Sequence, residues 1–460
     1  MGVGVSGWKL AQTVSKLGQL GVVSGTALEI MLARRLQAGD PGGHMRRALD
    51  HFPIPGIAKQ ILDKYFQPDG ITPEKGYRSV PMHTIKPRAE LTALVVAGNF
   101  VEVFLAREGH DGQIGINFLE KIQLPIMPSL YGAMLAGAAY VLMGAGIPRA
   151  IPGFLDELSQ GNATKQKIDV AGADRKEEYV THFDPNTLWG GEAPVIARPK
   201  FLGIISSATL AMTLARKSSG KVDGFVVEGS VAGGHNAPPR GPMQIDDAGE
   251  PIYGDRDTAD LEKIKAEGLP FWLAGSYGRP GRLADALALG AQGIQVGTAF
   301  AFCEESGMDP EIKRRVIEKS RMGMLKVFTD PLASPTGFPF KVVQLEGTAS
   351  DNSGPVRPRI CDHGYLRTPF VKDDGSLGYR CASEPVKDYV RKKGVEDDCA
   401  GRKCLCNGLV ASIGMGQVPE GRFVERPLVT AGDDVVNVAR NLKPGRDSYT
   451  AAEVIEMLLA

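Results

Sequence analysis

The chain of 460 residues lacks net charge, because 53 Lys and Arg offset 53 Asp and Glu, and it lacks any run of five or six like charges. Neither the surface as a whole nor a local patch therefore draws nucleic acid or anionic lipid, and no nucleic-acid partner is expected. A secretory leader is missing as well: Met1 to Gly25 has no basic stretch followed by an apolar one, which predicts a cytoplasmic protein. The uncharged stretch of membrane-spanning length, Ile122 to Pro148, is interrupted by Pro125, Pro128 and several glycines. It reads as a buried helix followed by a buried strand, with no membrane span. Cysteine is scarce in the first 360 residues, where Cys303 stands alone, while Cys361, Cys381, Cys399, Cys404 and Cys406 crowd the tail. What is abundant is glycine, 57 residues against roughly 32 expected at about 7%. With 43% hydrophobic and 23% charged residues, the chain is a folded globular protein, neither disordered nor a coiled coil.

Short β-branched apolar runs alternate with amphipathic or Ala-rich stretches, the pattern of parallel βα units. Candidate strands are Gly2–Val5, Leu20–Ser24, Leu91–Ala97, Gly115–Leu119, Ala139–Gly144, Phe201–Ser206, Gly224–Glu228, Phe271–Ala274 and Gly293–Val296. A (β/α)₈ TIM barrel needs eight, so one of the nine is peripheral or misread, with Leu91–Ala97 and Gly115–Leu119 competing for one place. The expected architecture is α/β: a barrel over residues 1–328, insertions at about 40–88 and 159–200, and a C-terminal cysteine-containing extension over 329–460 packed on the barrel. Asp309-Pro310-Glu311 opens one helix, and Thr450-Ala-Ala-Glu453 is a capping box opening the last.

A literal G-x-G-x-x-G at Gly2, Gly4 and Gly7 has no complete strand before it, so a dinucleotide fingerprint is rejected. The loops Ala274-Gly275-Ser276-Tyr277-Gly278 and Gln295-Val296-Gly297-Thr298 each follow a short apolar strand, with one helix between them. In a right-handed βαβ unit both loops emerge at the same carboxyl edge and can converge on one anion. Glycine lets the amides of Ser276, Tyr277, Gly297 and Thr298 face phosphate oxygens, and a following helix adds its positive end. The alternative is two tight turns with glycine for geometry alone. One strand earlier, Gly224-Phe-Val-Val-Glu228-Gly-Ser-Val-Ala-Gly-Gly-His235-Asn236 places His235 on the same edge. An imidazole there can take a proton from carbon beside an electron-withdrawing group, or is an incidental loop histidine.

These motifs, Val-Glu-Gly-Ser-Val-Ala-Gly-Gly-His, Leu-Ala-Gly-Ser and Ala-Leu-Ala-Leu-Gly-Ala-Gln-Gly-Ile-Gln-Val-Gly-Thr-Ala-Phe, resemble in order and spacing those of the nitronate monooxygenases, formerly 2-nitropropane dioxygenases. The resemblance covers roughly residues 1–325. It implies a TIM barrel holding FMN non-covalently, its phosphate on Gly275, Ser276, Gly297 and Thr298, with Gly233 and Gly234 letting backbone approach the flavin and His235 acting near it as base or hydrogen-bond donor. Asn117 in Gly-Ile-Asn-Phe resembles a flavin-contacting asparagine of the family, and Asn99 in Gly-Asn-Phe is its rival. The implied reaction oxidises nitroalkanes or alkyl nitronates with O₂ to a carbonyl compound and nitrite. An NAD(P)H-dependent reductase of quinones or enoyl thioesters is the alternative within the family, and a flavin-free phosphate-binding lyase or isomerase the alternative outside it. The expected partners are a small-molecule substrate with O₂ or NAD(P)H.

Two departures stand out. Val231 occupies a position that is usually acidic in the family, and the chain begins at what resembles the Met of a Pro-Met pair that follows the family's first strand. That strand is therefore expected to be truncated here, or the natural start to lie upstream. In the tail, Cys399-x4-Cys404-x-Cys406 with Cys361, His363 and Cys381 offers soft ligands for zinc or an iron–sulfur centre, but no C-x2-C pair exists. Reduced cysteines in a small core are the favoured reading, so no metal ligand is assigned.

Overall fold

The computed structural model describes residues 2–72, 76–174, 176–351, 353, 356–418 and 423–460. Nine strands precede residue 300: β1 (Gly21–Ser24), β2 (Ile114–Leu119), β3 (Tyr140–Gly144), β4 (Thr164–Lys167), β5 (Val180–Phe183), β6 (Lys200–Ile205), β7 (Gly224–Glu228), β8 (Phe271–Ala274) and β9 (Ile294–Gln295). All but β4 and β5 join one parallel sheet in the order β1-β2-β3-β6-β7-β8-β9, so chain order is sheet order. Because helices cover the outer face and the sheet curls on itself, these strands are buried on both sides and carry apolar residues at successive positions. Val227 and Leu273 join the main core, while Leu142, Leu202, Val226 and Ala274 meet inside the curl. This is the α/β arrangement that the sequence predicts.

Two candidate strands are not strands. Gly2–Val5 lies in turns, where Gly4 adopts a φ of +61° that an extended chain does not. Leu91–Ala97 lies inside the 19-residue helix Ala89–Arg107. That helix is buried around nearly its whole circumference, so its apolar residues show no one-sided period, and Val95-Val96 imitates a core strand. It is long and apolar enough to cross a membrane by composition, yet it packs inside the protein. The helix Ile126–Leu135 approaches it so closely that a Cβ on Gly132 would lie 2.2 Å from the Val96 carbonyl oxygen. Ile122 to Pro148 does resolve into that second helix followed by β3.

Among the described residues β1 and β9 end the sheet, and both line one apolar cavity of about 1220 Å³ counted to its mouth. The final helix, Ala451–Leu459, closes part of this side with Ile455 and Leu458 and packs on the helix Trp8–Lys16. Its start is the capping box, with Thr450 and Glu453 satisfying each other's backbone amides. In the second insertion the polar stretch is not loop throughout, because β4 and β5 pair as an antiparallel hairpin.

The tail contains two antiparallel hairpins, β10 (Lys326–Asp330) with β11 (Phe340–Gln344) and β12 (Thr368–Val371) with β13 (Leu377–Arg380). It shares a core with the barrel, in which Val429, Ala431 and Tyr449 meet Leu10, Ala299 and Phe302. A buried polar cluster fastens it further: His83 Nε2 lies 2.7 Å from Glu29, the Tyr365 hydroxyl donates to the same carboxylate, and Arg34 pairs with Asp362 at 2.8 Å. All six cysteines are free, and among the described residues no group of three or more His, Cys, Asp or Glu is arranged to hold a metal ion. Burial pushes the Cys381 thiol up to about 11 and that of Cys404 up to about 12, so both are protonated at neutral pH.

Candidate active site

The carboxyl ends of β2, β3, β7, β8 and β9 surround a cleft of about 880 Å³ counted to its open mouth. Parallel strands bring their C-terminal loops to one edge, which is why residues far apart in sequence meet there. Asn117, Gly233, His235, Gly275, Ser276, Gly297 and Thr298 all line this cleft. Gly234 does not: its amide donates to Thr430 Oγ1 at 3.0 Å and its carbonyl accepts from Lys341 at 3.0 Å, so it anchors the tail. Asn99, the rival of Asn117, sits in the buried helix with its amide nitrogen bonded to Val95 O at 2.9 Å, away from the cleft.

The loop after β8 has left-handed backbone at two successive residues, Gly275 with φ +93° and Ser276 with φ +58°. Such a turn gathers backbone amides into a concave anion receptor, and a serine held there carries strain. A Cβ on Gly297 would meet nothing within 4 Å, so its backbone is open to the cleft. The helices after these loops contribute less than the sequence suggests. The helix after Gly297 spans four residues, Thr298–Ala301, and the other begins at Arg282, six residues beyond Ser276. What these loops could offer an anion is backbone amides, not a long helix dipole.

The tail adds to the site. Gly432 N donates to Thr298 Oγ1 at 2.9 Å, and Asp433 N donates to Val231 O at 3.0 Å. Asp434 reaches the cleft wall that also holds Val231, the position usually acidic in the resembled family. Burial raises the Asp434 carboxyl against the pull of Arg440, 2.7 Å away, and Arg279, at 3.6 Å. Nothing local in the sequence marks Asp434, which lies more than a hundred residues beyond the cradle loops.

His235 is held almost entirely by the tail. Its backbone bridges Phe340, its ring meets the Phe340 ring edge-on at 4.8 Å between centroids, and Nε2 lies 2.7 Å from the Oγ of buried Ser334. Ser334 Oγ is in turn 2.8 Å from Thr336 Oγ1. Burial, with the charge of Lys121 adding to it, lowers the imidazole to about 3. His235 is therefore neutral at physiological pH. It can donate or accept a hydrogen bond, but it is too weak a base to remove a proton from carbon unaided.

Glu228, at the end of β7, lies between this cleft and an adjoining cavity lined by Tyr253, Arg279 and Asp433. In the sequence it shows only as the last residue of the Gly224–Glu228 strand. Burial pushes its carboxyl up to about 7 from 4.5. Between those two values the unfolded chain loses a proton that the folded chain keeps, so this group makes stability fall as pH rises from about 4.5 to 7. Urea titrations should show a loss of roughly 2–3 kcal/mol over that window, flattened in Glu228→Gln. An equal slope in the variant would assign the effect elsewhere.

A parallel βα sheet whose carboxyl edge gathers two glycine-containing loops, an asparagine at a strand end and an uncharged histidine around one cleft defines an α/β barrel-type protein. Residues 151–330 match the family model described as "NMO: Nitronate monooxygenase". Through this region the chain is similar to the nitronate monooxygenases. A nitronate monooxygenase of Paraburkholderia phytofirmans is 37% identical over 194 residues, 41% of this chain and 50% of that protein. The (3aS,4S,5R,7aS)-5-hydroxy-7a-methyl-1-oxo-octahydro-1H-indene-4-carboxyl-CoA dehydrogenase of Mycobacterium tuberculosis is 26% identical over 240 residues, 48% of this chain and 62% of that protein. The matched regions thus span half to about three fifths of these relatives. A solved structure of nitroalkane oxidase from Streptomyces ansochromogenes overlays with a TM-score of 0.47 at 14% identity, covering 100% of this chain and 92% of that one.

Proposed function

We propose that the protein is an FMN-dependent oxidoreductase that oxidises alkyl nitronates with O₂ to a carbonyl compound and nitrite. The observation that carries this reading is a neutral histidine in the same cleft as an anion cradle. The residues present fit the cofactor: Gly275, Ser276, Gly297 and Thr298 would hold its phosphate, the open space at Gly297 leaves room for it, and Asn117 would contact the ring. When bound, FMN supplies the electron acceptor for substrate oxidation and the route to O₂. The chain's part is orientation and electrostatics. A neutral imidazole donating a hydrogen bond suits a substrate that arrives already as the nitronate anion, because no base is then required to make one. The neutral nitroalkane is correspondingly a poor substrate.

A second reading, reduction of an enoyl thioester or quinone by NAD(P)H, is supported by the name of the mycobacterial relative, a CoA-thioester dehydrogenase. Purified protein should be yellow, with oxidised-flavin absorbance. Under anaerobic conditions a nitronate should bleach it at once and NAD(P)H only slowly. The reverse order supports the reductase, and a colourless protein that takes up no FMN removes both readings in favour of a flavin-free barrel enzyme.

A further inference from the structure

Near the cleft lies a partly buried lysine that makes no ion pair among the described residues. Lys121 follows Leu119, the last residue of β2, which lines the cleft. Its ammonium does not extend into water as an exposed lysine does. It sits over the Phe338 ring, 3.4 Å from the centroid. Among the described residues no carboxylate oxygen lies within 4.0 Å of it. The neighbouring Glu120 carboxylate lies against Gly146 and within 3.2 Å of Gln123 Nε2, and acts on the ammonium only through space. Phe338 belongs to the same tail segment that holds His235: Ser334 bonds the imidazole, Pro339 O accepts from Asn236 N at 2.9 Å, and Phe340 packs on the ring. The ammonium therefore lies against the tail segment that holds His235, close enough for its charge to act on the imidazole.

We infer that Lys121, steadied on Phe338, is an anion-binding subsite beside His235 that selects substrates whose reacting group carries a shared negative charge on oxygen, as the two oxygens of a nitronate do. An aromatic face holds a cation in place without neutralising it, and the partial loss of water makes an incoming anion's attraction larger than in bulk solvent. Burial also lowers the lysine somewhat, which a bound oxyanion would reverse. His235 stays neutral, so an anion beside it would meet one full charge and one hydrogen-bonding group rather than two competing cations. The inference rests on the oxidoreductase reading and names the charge of its substrate.

The test uses nitrite, whose two oxygens share one negative charge, titrated into the flavin-loaded protein and followed by the flavin difference spectrum. Saturable binding is expected in wild type and should weaken as ionic strength rises. Lys121→Met should raise the Kd at least tenfold and Lys121→Arg no more than about threefold, with flavin content and melting temperature unchanged in both. Equal nitrite affinity in wild type and Lys121→Met, or no saturable binding to wild type, overturns the subsite. Should the protein hold no flavin, the oxidoreductase reading fails separately, and the same titration by calorimetry still decides the subsite.

Discussion

Exchanging His235 for asparagine should lower kcat on an alkyl nitronate by roughly 10²–10³-fold while leaving bound flavin unchanged, because a donor aimed at developing charge in an enclosed site is worth about that much. The imidazole lies on the cleft wall, whereas the cradle is built by other loops, so loss of one does not dismantle the other. The pH profile provides an independent check. Burial lowers His235 to about 3, so from pH 5 to 8 it stays neutral and adds no inflection. The group in this cleft that changes charge near neutrality is Glu228, at about 7. An inflection near neutrality that survives His235→Asn and vanishes in Glu228→Gln is therefore expected. A limb near the ordinary histidine value that disappears with His235 would instead restore the imidazole as a general base.

The second large effect is expected at Gly297. Its φ of −115° and ψ of −53° suit any residue, and a Cβ there meets only open cleft, so Gly297→Asp should fold with unchanged stability in the absence of cofactor. The new carboxylate would project where the phosphate is expected. Like charges at such range cost several kcal/mol, so FMN affinity should fall 100-fold or more, measured by fluorescence quenching on reconstitution. Gly297→Ala, which adds bulk without charge, should lose far less. If Gly297→Asp binds FMN as tightly as wild type, the phosphate lies elsewhere.

Much of the site was legible because parallel βα units impose a rule: whatever follows a strand's carboxyl end lies on one edge. Gly224–Glu228 and Phe271–Ala274 are strands with the bounds read from their apolar runs, and strand order alone puts His235, Gly275 and Ser276 together. The helix Ala89–Arg107 was illegible for the opposite reason, since burial on all sides erases the period that distinguishes helix from core strand. By local motif Asn99 rivalled Asn117 as the flavin-contacting asparagine. Only the difference between a strand end and a buried helix separates them.

By itself the sequence determined which loop residues line the cleft, among them Gly275, Gly297 and His235, because that depends on glycine placement and strand order, both local properties of the chain. It also determined the caps, such as Thr450 with Glu453, whose bonds close within a single turn. Tertiary structure alone decided the chemistry those residues can perform. The proton affinity of His235 and Glu228 follows from burial, the grip on His235 comes from Ser334 ninety-nine positions away, and Asp434 enters the cleft from the tail. Desolvation and long-range hydrogen bonds have no period and no motif, so they are absent from the one-dimensional pattern and appear only when the tail is laid against the barrel.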